Sequence, residues 1–163
     1  MKQLNVNIPV KVYSLEELSE VDRKLVESAR GSVFRAYAPY SRFHVGAAIL
    51  MDNGEIVTGA NQENAAFPSG TCAERTAAFY ASSRYPGVPM KKIAIAAWQK
   101  PENNLPDEDG FQKNPISPCG GCRQALMEYE HLYGKIEVIL YGSEQIYVLP
   151  SVSSLLPFTF ISF

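Results

Sequence analysis

Three cysteines and one glutamate are spaced so that they could do chemistry together. Cys119 and Cys122 flank Gly120-Gly121 directly after Pro118, where the pattern marks the start of a helix. Alone, a Cys-x-x-Cys pair fits a dithiol redox couple, half of a zinc site or two unconnected core thiols. Cys72 lies far upstream and opens a second helix after Thr71. A helix N-terminus carries about half a positive charge, which favours thiolate over thiol. Three thiolates from two helix ends suit a zinc ion. With no fourth cysteine in the chain, one coordination position is left for water. That is the catalytic kind of zinc site, in which the pKa of bound water falls to about 7. His44 in an apolar run and His131 near a helix end lack any paired ligand spacing and read as ordinary histidines.

Glu74 supports two readings. Thr71-Cys72-Ala73-Glu74 matches a capping box, in which Thr71 caps the helix and Glu74 folds back. Beside a zinc ligand, the same carboxylate is a proton shuttle. Arg75, the next residue, is either a surface ion-pair partner or a donor to thiolate sulfur that offsets the charge of the cluster.

The elements that must position these groups alternate in type. Residues 1–13 alternate loosely in polarity and predict an edge strand or an N-terminal arm, with Pro9 against a long strand. From Ser14, apolar residues recur at helical spacing through Leu15, Leu18, Val21, Leu25, Ala29 and Val33. Phe43 to Met51 and Glu55 to Ala60 predict a hairpin around Asp52-Asn53-Gly54. The polar stretch from Asn61 to Gly70 leads into a helix over Thr71 to Tyr85. A buried strand is expected from Ile93 to Trp98, and a surface insertion over 99–114. A helix from Pro118 to Tyr133, strands at Ile136 to Tyr141 and Gln145 to Leu149, and an apolar tail complete the order. Strands alternating with helices predict an α/β fold, one sheet covered on both faces, in a single domain over 1–163.

Composition narrows the partners. The chain has 163 residues, 46% of them apolar, and a net charge of −2. A chain of this length buries about two-thirds of its unfolded surface, enough for one core. With no basic run beyond Lys91-Lys92, neither nucleic acid nor an anionic membrane is an expected partner. No apolar stretch approaches a membrane span, and an odd cysteine count fits a reducing, cytoplasmic location.

At this point a resemblance becomes specific. Thr71-Cys72-Ala73-Glu74-Arg75-Thr76 together with Ser117-Pro118-Cys119-Gly120-Gly121-Cys122-Arg123-Gln124 resembles the cytidine deaminase family in its small, three-cysteine form. Residues 36–43, Val45-Gly46-Ala47-Ala48 and Asn61-Gln62-Glu63-Asn64-Ala65-Ala66 match as well. The resemblance spans about residues 20–160.

It implies a three-layer α/β/α fold with a five-stranded mixed sheet, and one Zn2+ per chain held by Cys72, Cys119 and Cys122. Glu74 would be the proton shuttle for hydrolysis at C4 of cytosine, a pattern known for zinc deaminases generally. Asn61 and Glu63 would bind the ribose hydroxyls and Phe43 the pyrimidine ring, while the backbone at Ala73 and Ser117 would read the base edge. The same resemblance implies a homotetramer with shared active sites. Ala65, Phe67 and an aromatic after Leu155-Leu156-Pro157 would reach a neighbour, with Phe160 the better match and Phe158 its rival. Phe67 stands where many members carry Tyr, and the segment before residue 15 has no family counterpart. Two other readings compete: a zinc deaminase acting on a nucleotide or modified nucleoside, and a thiol oxidoreductase built on Cys119 and Cys122.

Overall fold

Alternate residues of the central strands face two different cores, and that alternation explains the layers. The computed structural model describes residues 1–99 and 108–161. In chain order the elements are β1 (Lys11–Tyr13), α1 (Glu20–Val33), β2 (His44–Met51), β3 (Ile56–Ala60), α2 (Ala73–Arg84), β4 (Met90–Trp98), α3 (Gly120–Tyr133), β5 (Glu137–Tyr141) and β6 (Ile146–Leu149). Val45, Ala47 and Ile49 of β2, with Ile93 and Ile95 of β4, pack against Ala73, Ala77 and Ala78 of α2 and Leu126 of α3. The intervening Ala48, Ala94, Ala96 and Trp98 pack against Leu25, Val26, Ala29 and Val33 of α1. With period-two strands, one helix therefore covers one face and two helices cover the other.

The sheet has six strands in the order β1-β6-β5-β4-β2-β3, one more than expected. The extra strand is β1, which pairs antiparallel with β6 over three residues, Lys11 opposite Val148. Continuing that register would set Pro9 against Pro150, and neither has an N–H to give, so the ladder ends there. Among the described strands, only β4 and β5 pair in parallel. Both β3 and β4 run antiparallel to β2, so β3, β4 and β5 share one direction. The connections β3-α2-β4 and β4-α3-β5 are thus both crossovers, and both helices begin at the carboxyl ends of these strands. Open α/β sheets form their sites there.

Three expectations need adjustment. Helix α1 begins at Glu20 and not near Ser14, because Ser19 caps it: its Oγ accepts from Asp22 N and donates to Asp22 Oδ2. Helices α2 and α3 start at Ala73 and Gly120, with Cys72 and Cys119 as extended N-cap residues. The segment 99–114 is not all surface. Phe111 is buried, set edge-on to Tyr141 and beneath the Arg30 guanidinium, and it bridges to Trp98. Residues 100–107 of that segment lie outside the described residues.

One close approach fixes α2 on the sheet. A Cβ on Gly59 of β3 would lie 2.4 Å from Ala77 N and 2.7 Å from Ala73 O. Backbone therefore lies directly against backbone beneath the first turns of α2, the turns that carry Glu74 and follow Cys72.

Candidate active site

Helices α2 and α3 deliver their N-cap cysteines to one place. The sulfurs of Cys72, Cys119 and Cys122 all lie within 4.8 Å of one another, the one such cluster of metal-capable side chains among the described residues. Cys72 Sγ is 3.8 Å from Cys119 Sγ, and Cys119 Sγ is 3.4 Å from Cys122 Sγ. Neither Cys72 nor Cys119 caps its helix through the side chain. The sulfurs are thus free to face one another while the first N–H groups of two helices supply partial positive charge. A set of three soft, clustered, unbridged thiols suits zinc.

The thiols share protons unevenly. The Cys72 thiol is pulled down to about 5, first by a hydrogen bond from Cys122, against burial and with help from Arg75 and Cys119. Cys122 is pushed up, by its bond to Cys72 and then by burial. An Arg75 Nη lies 3.9 Å from Cys72 Sγ, and the bond to that sulfur, outweighing burial, holds the guanidinium above its ordinary value. Of the two readings of Arg75, the sulfur donor is the one observed.

Glu74, the second residue of α2, is only 4% exposed. Burial is the main reason its carboxyl sits above the ordinary range, and the charge of Cys72 adds to it. The capping box is not formed: Cys72, not Thr71, is the N-cap, and it makes no side-chain cap bond. A buried carboxyl beside a thiol cluster, its proton held more tightly than in an ordinary carboxyl, has the properties of a general acid and base.

A cleft of about 570 Å³ adjoins Cys72 and Arg75, and its walls include Tyr40, Ser41, Asn61, Glu63 and Phe67. Asn61 Nδ2 donates to Phe43 O at 2.9 Å, and its Oδ1 accepts from Val45 N at 2.8 Å, which sets the start of β2. Glu63 Oε2 accepts from Tyr40 N and Ser41 N, and Oε1 accepts from the Ser41 hydroxyl. Burial works to raise the Glu63 carboxyl, but these donors outweigh it and hold it below the usual range.

With this geometry in view, a family comparison is decisive. The model for the cytidine and deoxycytidylate deaminase zinc-binding region matches residues 19–136. The chain belongs to this deaminase family. A cytidine deaminase of Sporosarcina psychrophila is 38% identical over 138 residues, 84% of this chain and 89% of the relative. One from Halalkalibacterium halodurans is 40% identical over 111 residues, 66% of this chain and 72% of the relative. Among solved structures, cytidine deaminase from Burkholderia pseudomallei superposes with a TM-score of 0.70 at 34% identity, covering 88% of this chain and all of that one. Cytidine deaminase from Mycobacterium tuberculosis gives 0.62 at 28% identity, covering 84% of this chain and 94% of that one.

The remaining family-type positions fall into two groups. Phe43 is half-buried and packs on the core, and Ala73 is buried at the first position of α2. Ser117 is exposed two residues before Cys119. By contrast, Ala65, Phe67, Phe158 and Phe160 are exposed on the protomer, and of these only Phe67 lines the cleft. Sequence reasoning missed Ser41 as the partner of Glu63 and Glu130 as a buried clamp on the tail. Ser41 carried a family-type motif and so could have been found. Glu130 carried no local signal.

Proposed function

We propose that this chain catalyses the hydrolytic deamination of cytidine and deoxycytidine to uridine and deoxyuridine, releasing ammonia. The reading is carried by the convergence of three thiols on a buried carboxyl, Glu74, beside a cleft walled by Asn61 and Glu63. Cys72, Cys119 and Cys122 would hold one zinc ion per chain, which supplies a water acidified to about pKa 7. Glu74 takes the proton of the water whose oxygen bonds to C4 and places it on N3; it then moves the proton of the new C4 hydroxyl to the amine, which leaves as ammonia as the C4–N bond breaks. Arg75 offsets the negative charge of the thiolates through Cys72. Phe43 supports the pyrimidine ring, and the backbone at Ala73, a helix N-terminal N–H without an intrahelical partner, together with that at Ser117, reads the base edge. Asn61 and Glu63 each retain hydrogen-bonding capacity beyond their backbone contacts and receive the ribose hydroxyls.

A free nucleoside suits the cleft better than a nucleotide. Arg75 is the one Lys or Arg among its described lining residues, and it is engaged with Cys72 Sγ. No cation is left there to meet a phosphate. The exposed aromatics Phe67 and Phe160 support a homotetramer in which the tail of one subunit closes the site of the next. A catalytic unit spanning 1–163 and a cytoplasmic role in pyrimidine salvage complete the reading. None of the described helices is long and apolar enough to cross a membrane.

The test is ammonia release from cytidine with zinc measured on the same sample. About one zinc per chain and one ammonia per uridine are expected. Full activity with zinc near zero would overturn the metal reading, and a Cys119–Cys122 disulfide in that sample would favour the oxidoreductase.

A further inference from the structure

Helix α3 holds the C-terminal tail at three places, and one of them also holds the loop that delivers Cys119. Arg123 follows Cys122 directly and turns back. Its Nε donates to Pro118 O at 2.8 Å, and its Nη1 donates to Leu155 O at 2.9 Å. Pro118 is buried and immediately precedes Cys119, so the direction of its carbonyl sets how the chain enters the Cys119 position. A guanidinium is a rigid planar fork, so two acceptors bound to it are held in one fixed relation.

The other two anchors bypass the thiol loop. Glu130 accepts from Val152 N at 2.7 Å and from Ser153 N at 2.9 Å, and Gln124 Nε2 donates to Phe160 O at 2.6 Å. The tail therefore has anchors of its own on α3. The Arg123 bond to Leu155 joins it to the Cys119 loop in addition.

We propose that Arg123 is a positioning residue that ties the Cys119 loop to the C-terminal tail, so that the thiol cluster and the tail take up their settings together. The metal part of the claim rests on the zinc reading above, whereas the tether itself is a property of the backbone. In the assembled enzyme, a site's own metal loop would then be linked to the segment that the same chain lends to a neighbour.

The experiment uses the full chain and three variants, Arg123→Ala, Arg123→Lys and Glu130→Gln. Amide hydrogen exchange over 117–121 and 152–157 reads the tether with or without metal, and zinc transfer to a chromogenic chelator reads the consequence. Arg123→Ala is expected to raise exchange in both segments together and to speed zinc loss about 10- to 100-fold, the usual effect of removing a partner outside the ligand shell. Lysine is a point charge that reaches one carbonyl at a time, so Arg123→Lys is expected to restore only part of either reading. Glu130 also accepts from Ile136 N at 2.9 Å, so Glu130→Gln is expected to raise exchange at Ile136 and over 152–157 but not over 117–121, and to leave zinc loss within about twofold of the parent.

If Arg123→Ala loosens one segment without the other, the tether is wrong. It is equally wrong if Glu130→Gln loosens 117–121 as much as Arg123→Ala does. Should Arg123→Ala fail to fold, Arg123→Lys carries the same comparison at smaller amplitude. A parent protein without zinc would defeat the metal reading while the exchange data still decide the tether.

Discussion

Ser41 and Glu63 are joined twice: both the backbone N–H and the hydroxyl of Ser41 donate to the Glu63 carboxylate. The two residues lie 22 positions apart, and their union sets one wall of the cleft. Removing the hydroxyl leaves the carboxylate with backbone donors only. Ser41→Ala is expected to raise KM for cytidine about 5- to 30-fold with kcat nearly unchanged, the equivalent of about 1–2 kcal/mol for one charge-assisted bond. Steady-state kinetics check it, and an unchanged KM would release Glu63 from substrate binding. The pH dependence has a definite sign. A folded-state pKa below the unfolded value stabilises the fold above the unfolded value, and that contribution is lost as pH falls through the folded one. The Ser41 hydroxyl is among the donors that hold the Glu63 carboxyl down, so Ser41→Ala is expected to raise that pKa and to move the acid limb of KM upward in pH.

Glu74→Gln keeps the shape of a buried side chain and removes its proton chemistry. Turnover is expected to fall about 10²- to 10⁴-fold, the typical contribution of a general acid and base. Zinc content and melting temperature should hold, because no helix cap depends on this side chain. Activity within a few-fold of the parent would mean that another group moves the proton.

Gly59→Ala forces a methyl group into the backbone of α2. Relief requires the helix to lift from β3, at a cost of about 1–3 kcal/mol. Thermal unfolding is expected several degrees lower, and kcat is expected to fall as well, because Glu74 and Cys72 ride on the displaced turn. Loss of stability with kcat intact would show that the site does not depend on the seating of α2.

Lys92 bridges Asp22 at 2.6 Å and Glu137 at 2.8 Å, joining α1 to the sheet. Burial pulls its pKa down, but the bonds to the two carboxylates outweigh that and the net shift is upward. A raised folded-state pKa gives stability that is present below the unfolded value and lost as pH climbs through the folded one. Stability is expected to fall at strongly alkaline pH. Lys92→Met is expected to cost about 1–2 kcal/mol at neutral pH, between exposed and buried pairs, and to flatten the alkaline decline. Denaturant midpoints at about pH 7 and above about pH 10 check both, on either side of the onset of lysine titration.

The tail can be assigned to its subunit by mixing. Phe160 is 62% exposed on its own protomer, and its carbonyl is tied to Gln124. Phe160→Ala is expected to weaken substrate use about 5- to 150-fold, as for an aromatic stacked on a base. Co-refolding it with Glu74→Gln in equal amounts gives about one quarter of sites an intact pair in a closed homo-oligomer. Activity above the mean of the two variants is expected. No rise in confirmed mixed assemblies would assign the contact to the chain's own site or to Phe158.

Local chemistry made much of this legible in the sequence. The Asp52-Asn53-Gly54 turn, the cysteines at helix starts and the apolar strands all depend on neighbours within a few residues. Where sequence reading went astray, longer-range contacts won. Thr71 looked like a cap, but Cys72 takes that position because the chain is still extended there. Leu15 and Leu18 keep helical spacing, yet Ser19 starts the helix after them. The strand β1 exists only because β6 passes beside it, and Phe111 is buried only because Trp98 and Tyr141 receive it. The ties from Arg123 to Leu155 and from Glu63 to Ser41 cross tens of residues and leave no periodic trace.

The seating of α2 on Gly59 by an alanine face has an evolutionary consequence. With almost no side chain between helix and strand, there is no rotamer to exchange and no volume to trade, so single substitutions cannot re-aim the helix by small steps. Variation that retunes which base or sugar is accepted is thereby steered to the cleft wall that does not carry α2, the 61–70 connection. The reaction centre would change little over time, while the walls around it would be free to drift.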